Sequence, residues 1–232
     1  MNEKRRIGRV LVTGGASGLG AAVAAAVARD GGQPIVLDKD VAGVDGGEAH
    51  RIDVSDTGAV HELVTRIAHE DGGLDAVVTA AGIDRPGAFA DVEREAWEHI
   101  VAVNLFGTAA VVRAALPALR DAHGRAVLVA SSLALRTLPD ATAYCASKFG
   151  VVGFARALAQ ETRGQLGVTT VYPAGMDTHF FDGRDEQYRP GADAHLIDPA
   201  RVADGILFAL HQPVGVEVRE LVMCPEDEPS WP

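Results

Sequence analysis

Residues 9–29 read RVLVTGGASGLGAAVAAAVAR. The first five, Arg9 to Thr13, form a short run of β-formers. Thr13 to Gly20, TGGASGLG, is a glycine loop. From about Gly18 the chain becomes an Ala/Val-rich helix, which Gly31-Gly32 stops. Strand, glycine turn and helix in this order set the pattern against which the remaining chain is read.

The pattern repeats. Pro34 to Asp38 reads as a second strand and Arg51 to Val54 as a third. Ser55 then caps a helix running to about Glu70. Leu74 to Thr79 and Ala126 to Ala130 are the fourth and fifth strands. Between them, a long helical pattern puts Trp97, Ile100, Val101, Asn104, Leu105, Val111 and Val112 on one face. Ala143 to Phe149, AYCASKF, begins another helix that continues through Val151, Val152, Phe154 and Leu158. Val168 to Tyr172 is the sixth strand, Pro199 opens a further helix, and Val216 to Met223 is the last strand. Apolar strands separated by helices predict a parallel sheet covered on both faces. The expected fold is α/β: one Rossmann-type domain over residues 1–232, a doubly wound parallel sheet of about seven strands flanked by helices. Two connections depart from regularity. Lys39 to His50 is too short for a full crossover helix. Gly175 to Ile197 is polar, contains glycine and has no helical period, so 175–197 is read as a substrate lid.

Composition narrows the class. The 232 residues are 47% hydrophobic and 23% charged, enough to bury a core, and the net charge is −11. An acidic surface repels phosphate backbones, so no nucleic-acid partner is expected. Lys4-Arg5-Arg6 and the apolar residues after it imitate a secretory leader, but Thr13 to Gly18 interrupts the run. No stretch reads as long and apolar enough to span a bilayer, and no membrane partner is expected. Two cysteines, Cys145 and Cys224, make no disulfide framework, which points to reduced thiols and a cytoplasmic protein. The eight histidines include no His-Glu-x-x-His and no Cys/His cluster, so no metal is expected.

Several residues stand out against this frame. Gly14, Gly18 and Gly20 permit a tight turn, close approach of a ligand and close helix–strand packing. Free N–H groups at the helix start attract a pyrophosphate, although a glycine turn can also be purely structural. Asp38 ends the second strand 18 residues beyond Gly20, where a carboxylate accepts from ribose hydroxyls. Asp53 lies on the same rim, or caps the next helix. Tyr144 and Lys148, four residues apart, share one helical face. They are either a surface pair or a reactive one. A free Tyr has a pKa of about 10, and a neighbouring ammonium lowers it toward the range useful for acid–base work. Asn104 on an apolar stripe must find partners, in neighbouring backbone or in a site. Ser131 and Ser132 end the fifth strand, as caps or as donors. Cys145 points away from its neighbour Tyr144 and reads as packing.

Together, TGGASGLG, IDVSD (Ile52 to Asp56), VNLFG (Val103 to Gly107), Ser131 and YCASK (Tyr144 to Lys148) resemble the short-chain dehydrogenase/reductase family, in its order and approximate spacing. The resemblance covers nearly the whole chain. It implies an NAD(H)-dependent oxidoreductase interconverting a secondary alcohol and a ketone. Tyr144 would be the general acid/base. Lys148 would hold the nicotinamide ribose and lower the Tyr144 pKa. Ser131 would donate to the substrate oxygen, and Asn104 would hold a water of the proton relay. The implied NAD site comprises Gly14, Ser17, Gly18, Leu19, Gly20, Asp38, Asp53, Val54, Ala80, Ala81, Gly82, Tyr144, Lys148, Pro173 and Thr178. Asp38 and Ser17 favour NAD, while Lys39 argues for NADP. Counting thirteen residues back from Tyr144 selects Ser131; matching the family's serine pair would select Ser132.

Departures occur at Ala80-Ala81-Gly82, where the family has Asn-Ala-Gly and the Asn braces the sheet, and at Pro173-Ala174, where it has Pro-Gly. Arg184 and Arg189 in the lid hint at an anionic substrate. The family also implies a homo-oligomer, dimer or tetramer, formed through the Val151 to Glu161 helix face and the last strand, with the EPSWP tail and Trp231 reaching a neighbour or packing at home. The competing reading is a non-catalytic dinucleotide-binding regulatory or scaffold protein. A third, an extended nucleotide-sugar enzyme, expects Gly where this chain has Ser17.

Overall fold

The computed structural model describes residues 5–44, 47–70, 72–191 and 193–228. Lys4 and the tail with Trp231 lie outside them. Seven parallel strands form one sheet in the order β3-β2-β1-β4-β5-β6-β7. They are β1 Arg9–Thr13, β2 Gln33–Asp38, β3 Glu48–Arg51, β4 Ala76–Thr79, β5 Arg125–Val129, β6 Gly167–Pro173 and β7 Glu220–Met223. From β1 the chain winds outward through β2 and β3. It then returns to pair β4 on the other side of β1 and winds away. The reversal between β1 and β4 opens the crevice in which such sheets hold ligands.

Side chains alternate between two cores, because successive residues of a strand point to opposite faces. Leu11, Val77 and Leu128 belong to a core shared with α2 (Thr57–His69), α4 (Thr108–Asp121) and α5 (Thr142–Glu161). Val10, Val12, Val78 and Val127 belong to the opposite one, beneath α1 (Gly18–Arg29) and α6 (Pro199–Leu210). Every residue of β1, β4, β5 and β6 is buried, which is why these strands read as unbroken apolar runs.

Four readings are corrected. The third strand is Glu48–Arg51, not Arg51 to Val54; its register ends where β2 ends, at Asp38 opposite Arg51. It is a half-exposed edge strand of charged and polar residues, a composition that blunts edges but hides them from hydropathy. The α2 cap is Asp56, whose carboxylate accepts from Ala59 N at 3.0 Å, and Ser55 instead serves Asp53. The last strand covers only Glu220–Met223, because Val216 closes a turn onto Pro213 O and offers its own carbonyl to the Arg125 guanidinium at 2.8 Å. Finally, the run Arg94–Asp121 is by length and composition able to cross a bilayer, with a mean hydropathy of 1.7 over an 18-residue stretch within it. Half of that stretch is buried in the protein, and its apolar face is the one packed on α2 and α5.

This same run is one continuous helical path, but not a uniform one. α3 (Arg94–Val101) passes through a π segment, Ala102–Gly107, into α4. Gly107 sits so close to Val54 that a Cβ would lie 2.8 Å from Val54 O. The widened turns carry Asn104 inward; such segments cluster at functional sites. The connection Lys39 to His50 shows no helix among its described residues.

Glycine positions give a test of this packing. A Cβ on Gly20 would meet Gly14 O at 2.1 Å, whereas at Gly153, exposed inside α5, it would meet nothing within 4 Å. Gly153→Ala should raise stability by about 0.5–1 kcal/mol, and Gly20→Ala should lower it. Urea unfolding of both variants checks the contrast.

Candidate active site

The crevice is built from the ends of β1, β2 and β4. Gly14 (φ +66°) turns the chain out of β1, and Gly18 (φ +50°) turns it into α1. A Cβ on Gly14 would come 2.8 Å from Ala81 Cα, so the loops after β1 and β4 touch through bare backbone. Ser17 precedes α1 without a side-chain cap bond, which leaves the first-turn N–H groups, including those of Gly18, Leu19 and Gly20, without that partner. Uncapped donors above a cradle that a Cβ would fill fit a pyrophosphate.

Asp38 does more than end β2. Its Oδ2 accepts from Ala16 N at 3.0 Å and its Oδ1 from Asp40 N at 3.2 Å, so the carboxylate also holds the glycine loop. Asp53 accepts from Ser55 N (2.9 Å) and Ser55 Oγ (2.7 Å) and pairs with Lys39 Nζ at 3.1 Å. Burial opposes its charge, but the Ser55 and Lys39 bonds prevail and pull it down to about 2. Lys39 is therefore engaged. Val54 is buried behind the π segment.

The departures from the family pattern are compensated locally. Where the bracing Asn is missing at Ala80, Thr13 Oγ1 accepts from Ala81 N at 3.1 Å. Beyond it, Asn104 clamps Ile83: Oδ1 accepts from Ile83 N and Nδ2 donates to Ile83 O, both at 2.9 Å. Gly82 lies between, where a Cβ would sit 3.4 Å from Lys148 Nζ. Ala174 needs no positive φ and donates to Met223 O at 2.9 Å, so alanine is accommodated after Pro173. Thr178 lies against Gly18, with its methyl 3.4 Å from where a Cβ would stand.

Tyr144 and Lys148 rise from the first turns of α5 into this crevice, 9% and 4% exposed. Lys148 Nζ donates to Val129 O at 2.9 Å and lies 5.7 Å from the Tyr144 ring centroid. The Ser131 side chain stands near enough to the Tyr144 hydroxyl to favour its ionised form. Ser131 Oγ accepts from Leu133 N, at 3.1 Å. Ser147, unremarked in the sequence, is fully buried on α5: it accepts from Asn104 Nδ2 at 3.0 Å and donates to Tyr144 O at 2.8 Å. Three of the four bonds Asn104 can offer are thus structural.

Burial governs both ionisable groups. It pushes the Tyr144 phenol up to about 12; Ser131 opposes this, Asp84 adds to it and Arg184 works against it. Lys148 does not figure among the groups that shift this phenol, and burial is the largest of the causes. Lys148 falls to about 8, also through burial.

The segment after β6, residues 175–197, packs on the same spot. Its ends are pinned together, Ile197 N to Gly175 O and Asp177 N to Ile197 O, each at 2.9 Å. Phe180 packs its ring 5.8 Å from that of Tyr144. Arg184, whose charge hinted at an anionic substrate, is paired with Asp84 at 3.0 Å, and Arg189 Nε donates to Arg184 O. Asp84 was missed altogether: nothing near it in the sequence marks it, and only the return of the segment after β6 brings Arg184 to it.

This geometry, a dinucleotide cradle facing a Ser–Tyr–Lys cluster, defines a class of nucleotide-dependent oxidoreductases. The short chain dehydrogenase family matches residues 8–189. D-threitol dehydrogenase of Mycolicibacterium smegmatis is 37% identical over 206 residues, covering 83% of this chain and 79% of that protein. Glycine betaine reductase of Emericella nidulans is 33% identical over 94% of this chain, which spans only 19% of that much longer protein. An alcohol dehydrogenase from Thermococcus sibiricus, solved with 5-hydroxy-NADP, superposes with a TM-score of 0.84 at 25% identity, covering 94% of this chain and 96% of that one. The chain belongs to the short-chain dehydrogenase family. It is an oxidoreductase that uses NAD or NADP on a small organic substrate.

The buried ammonium has a cost that can be measured. Because the folded Lys148 pKa (about 8) lies below the unfolded value of 10.5, the unfolded chain binds more protons between them, and stability from this group rises with pH across that interval. Lys148→Met should therefore match or exceed the parent in stability at pH 7. Its relative advantage should shrink between about pH 8 and 10, below the range in which Tyr144 titrates. Denaturant unfolding at several pH values checks both points.

Proposed function

We propose that the protein interconverts a secondary alcohol and a ketone with NAD(H), and that Tyr144 moves the proton. The carrying observation is the clustering of Tyr144 and Lys148 on one face of α5, with Lys148 Nζ 5.7 Å from the Tyr144 ring centroid and Ser131 beside the phenol. When bound, nicotinamide supplies or takes the hydride. The protein's part is to hold and move the proton. Ser131 donates to the substrate oxygen, and Tyr144, beside it, takes the hydroxyl proton in oxidation and returns it in reduction. Lys148 has used one N–H on Val129 O and has donors left for ribose hydroxyls. The positive charge of the oxidised cofactor, beside Lys148, would supply the lowering of the phenol pKa that the folded chain alone does not. The proton leaves through Lys148 and a water held at Asn104. Gly14, Ser17, Gly18, Leu19 and Gly20 receive the pyrophosphate. Asp38, Asp53, Val54, Ala80, Ala81 and Gly82 line the adenosine and ribose side, and Pro173 and Thr178 the nicotinamide side.

Asp38 favours NAD, since a 2′-phosphate would meet its carboxylate and Lys39 is occupied by Asp53. The lid, residues 175–197, covers bound substrate through Phe180. Exposed Phe149 on α5 and Phe208 on α6 support a homo-oligomer.

Tyr144→Phe should abolish turnover on a panel of secondary alcohols and ketones while leaving NAD affinity within a few-fold. Retention of most of the rate would overturn the proton-transfer role. Ser131→Ala should slow turnover about a hundredfold or more, and Ser132→Ala far less; the reverse would move the donor to Ser132. The catalytic efficiency with NAD should exceed that with NADP, and equal use of the two would sink the Asp38 argument.

A further inference from the structure

Asp84, in the loop after β4, and Arg184, in the lid, form an ion pair at 3.0 Å whose side chains are 6% and 11% exposed. Charge this deeply enclosed is costly to desolvate, and an apolar pair of similar volume would stabilise the fold at least as well. The pair is also not remote. Its two charges act in opposite senses on the Tyr144 hydroxyl, and the Arg184 guanidinium lies 4.8 Å from the ring centroids of both Phe180 and Phe181, the first of which stacks toward Tyr144. An enclosed pair of opposite charges therefore borders the place where the substrate carbinol must sit.

Its chemistry discriminates between substrates. A carboxylate entering here would have to displace Asp84 from Arg184, or lie beside an uncompensated Asp84. A purely apolar substrate would leave the pair buried without recompense. A neutral hydroxyl meets both needs. It donates to the carboxylate and accepts from a guanidinium N–H. One such donor is free: Arg184 Nε is enclosed without a hydrogen-bond partner among the described residues. The other groups around the pair are already committed. Arg189 is bonded to Arg184 O, and Tyr188 Oη donates to Asp140 Oδ2 at 3.1 Å.

We propose that Asp84 and Arg184 form a hydroxyl-binding subsite, so that the substrate is a neutral polyol or sugar-like diol carrying a second hydroxyl close to the reacting one, rather than an acid. This rests on the alcohol–ketone reading above and replaces the anionic hint of the lid arginines. Asp84 is the specificity-determining acceptor, and Arg184 is both its counter-ion and a donor. The pair also ties lid to sheet, so a diol bridging it binds the closed arrangement.

The test compares threitol, threonate and 2-butanol with NAD-saturated enzyme. Wild type should favour threitol over threonate by tenfold or more in kcat/KM. Asp84→Asn should raise the threitol KM tenfold or more, and should lower that of threonate as Arg184 is unmasked. Asp84→Leu/Arg184→Met, which keeps the volume and removes both charges, guards against a misfolded single variant and should erase the preference for threitol over 2-butanol. A wild type that prefers threonate, or variants that change threitol and 2-butanol by the same factor, would overturn the subsite. Absence of turnover on all three, and on the broader panel, would sink the parent reading instead. Calorimetry on NAD-loaded protein then decides the subsite alone: threitol binding that is weakened by Asp84→Asn supports it, and threonate binding more tightly than threitol overturns it.

Discussion

The Asn104 amide is wholly buried, and a buried amide must be satisfied. It meets that demand by closing three bonds between parts of the chain that share no local sequence: the loop after β4 at Ile83, both N–H and C=O, and α5 at Ser147. Ser147 then donates to the Tyr144 carbonyl. One side chain thus fixes the distance between the cofactor loop at Gly82 and the helix bearing Tyr144 and Lys148. A uniform α-helix would aim position 104 differently. The π segment Ala102–Gly107, pressed against Val54 at Gly107, supplies the extra rotation. Helix irregularity, amide and reactive pair form one mechanical unit.

The Rossmann-type sheet was legible because its inner strands are buried on both faces. β1, β4, β5 and β6 read as apolar runs, and the glycine loop separates the first of them from its helix. The edge was not legible. β3 carries Glu48, His50 and Arg51, so its strand character comes from pairing with β2 rather than from its own hydropathy, and the apolar residues just beyond it, Ile52 and Val54, drew the reading three residues too far. The same limit explains Arg94–Asp121. Hydropathy reports that a face is apolar, but not whether lipid or protein covers it, and here the π segment's neighbours α2 and α5 cover it.

At the site, the expected Ser131, Tyr144, Lys148 and Asn104 lie together, and each was legible in the sequence as a polar residue in an apolar setting or by its spacing. Ser147 had no such mark: serine beside alanine in a helix is unremarkable until its bonds to Asn104 and Tyr144 are seen. Asp84 and Arg184 are separated by a hundred residues, and neither signals the other. Contacts made by a long return loop leave no periodicity to read.

Electrostatics in this crevice run against intuition drawn from the pair Tyr144 and Lys148 alone. Two charged forms, phenolate and ammonium, compete with the same desolvation, and each loses: the phenol rises to about 12 and the ammonium falls to about 8. Asp84 raises the phenol further, while Arg184 opposes it. If Asp84 stood unpaired, it would hold Tyr144 protonated more firmly and hinder its action as a base. Arg184 opposes that field at the hydroxyl while leaving both groups in place as directional hydrogen-bonding partners. The Asp84–Arg184 pair is thus compatible with proton transfer at Tyr144 in either direction, because its two charges act on the hydroxyl in opposite senses.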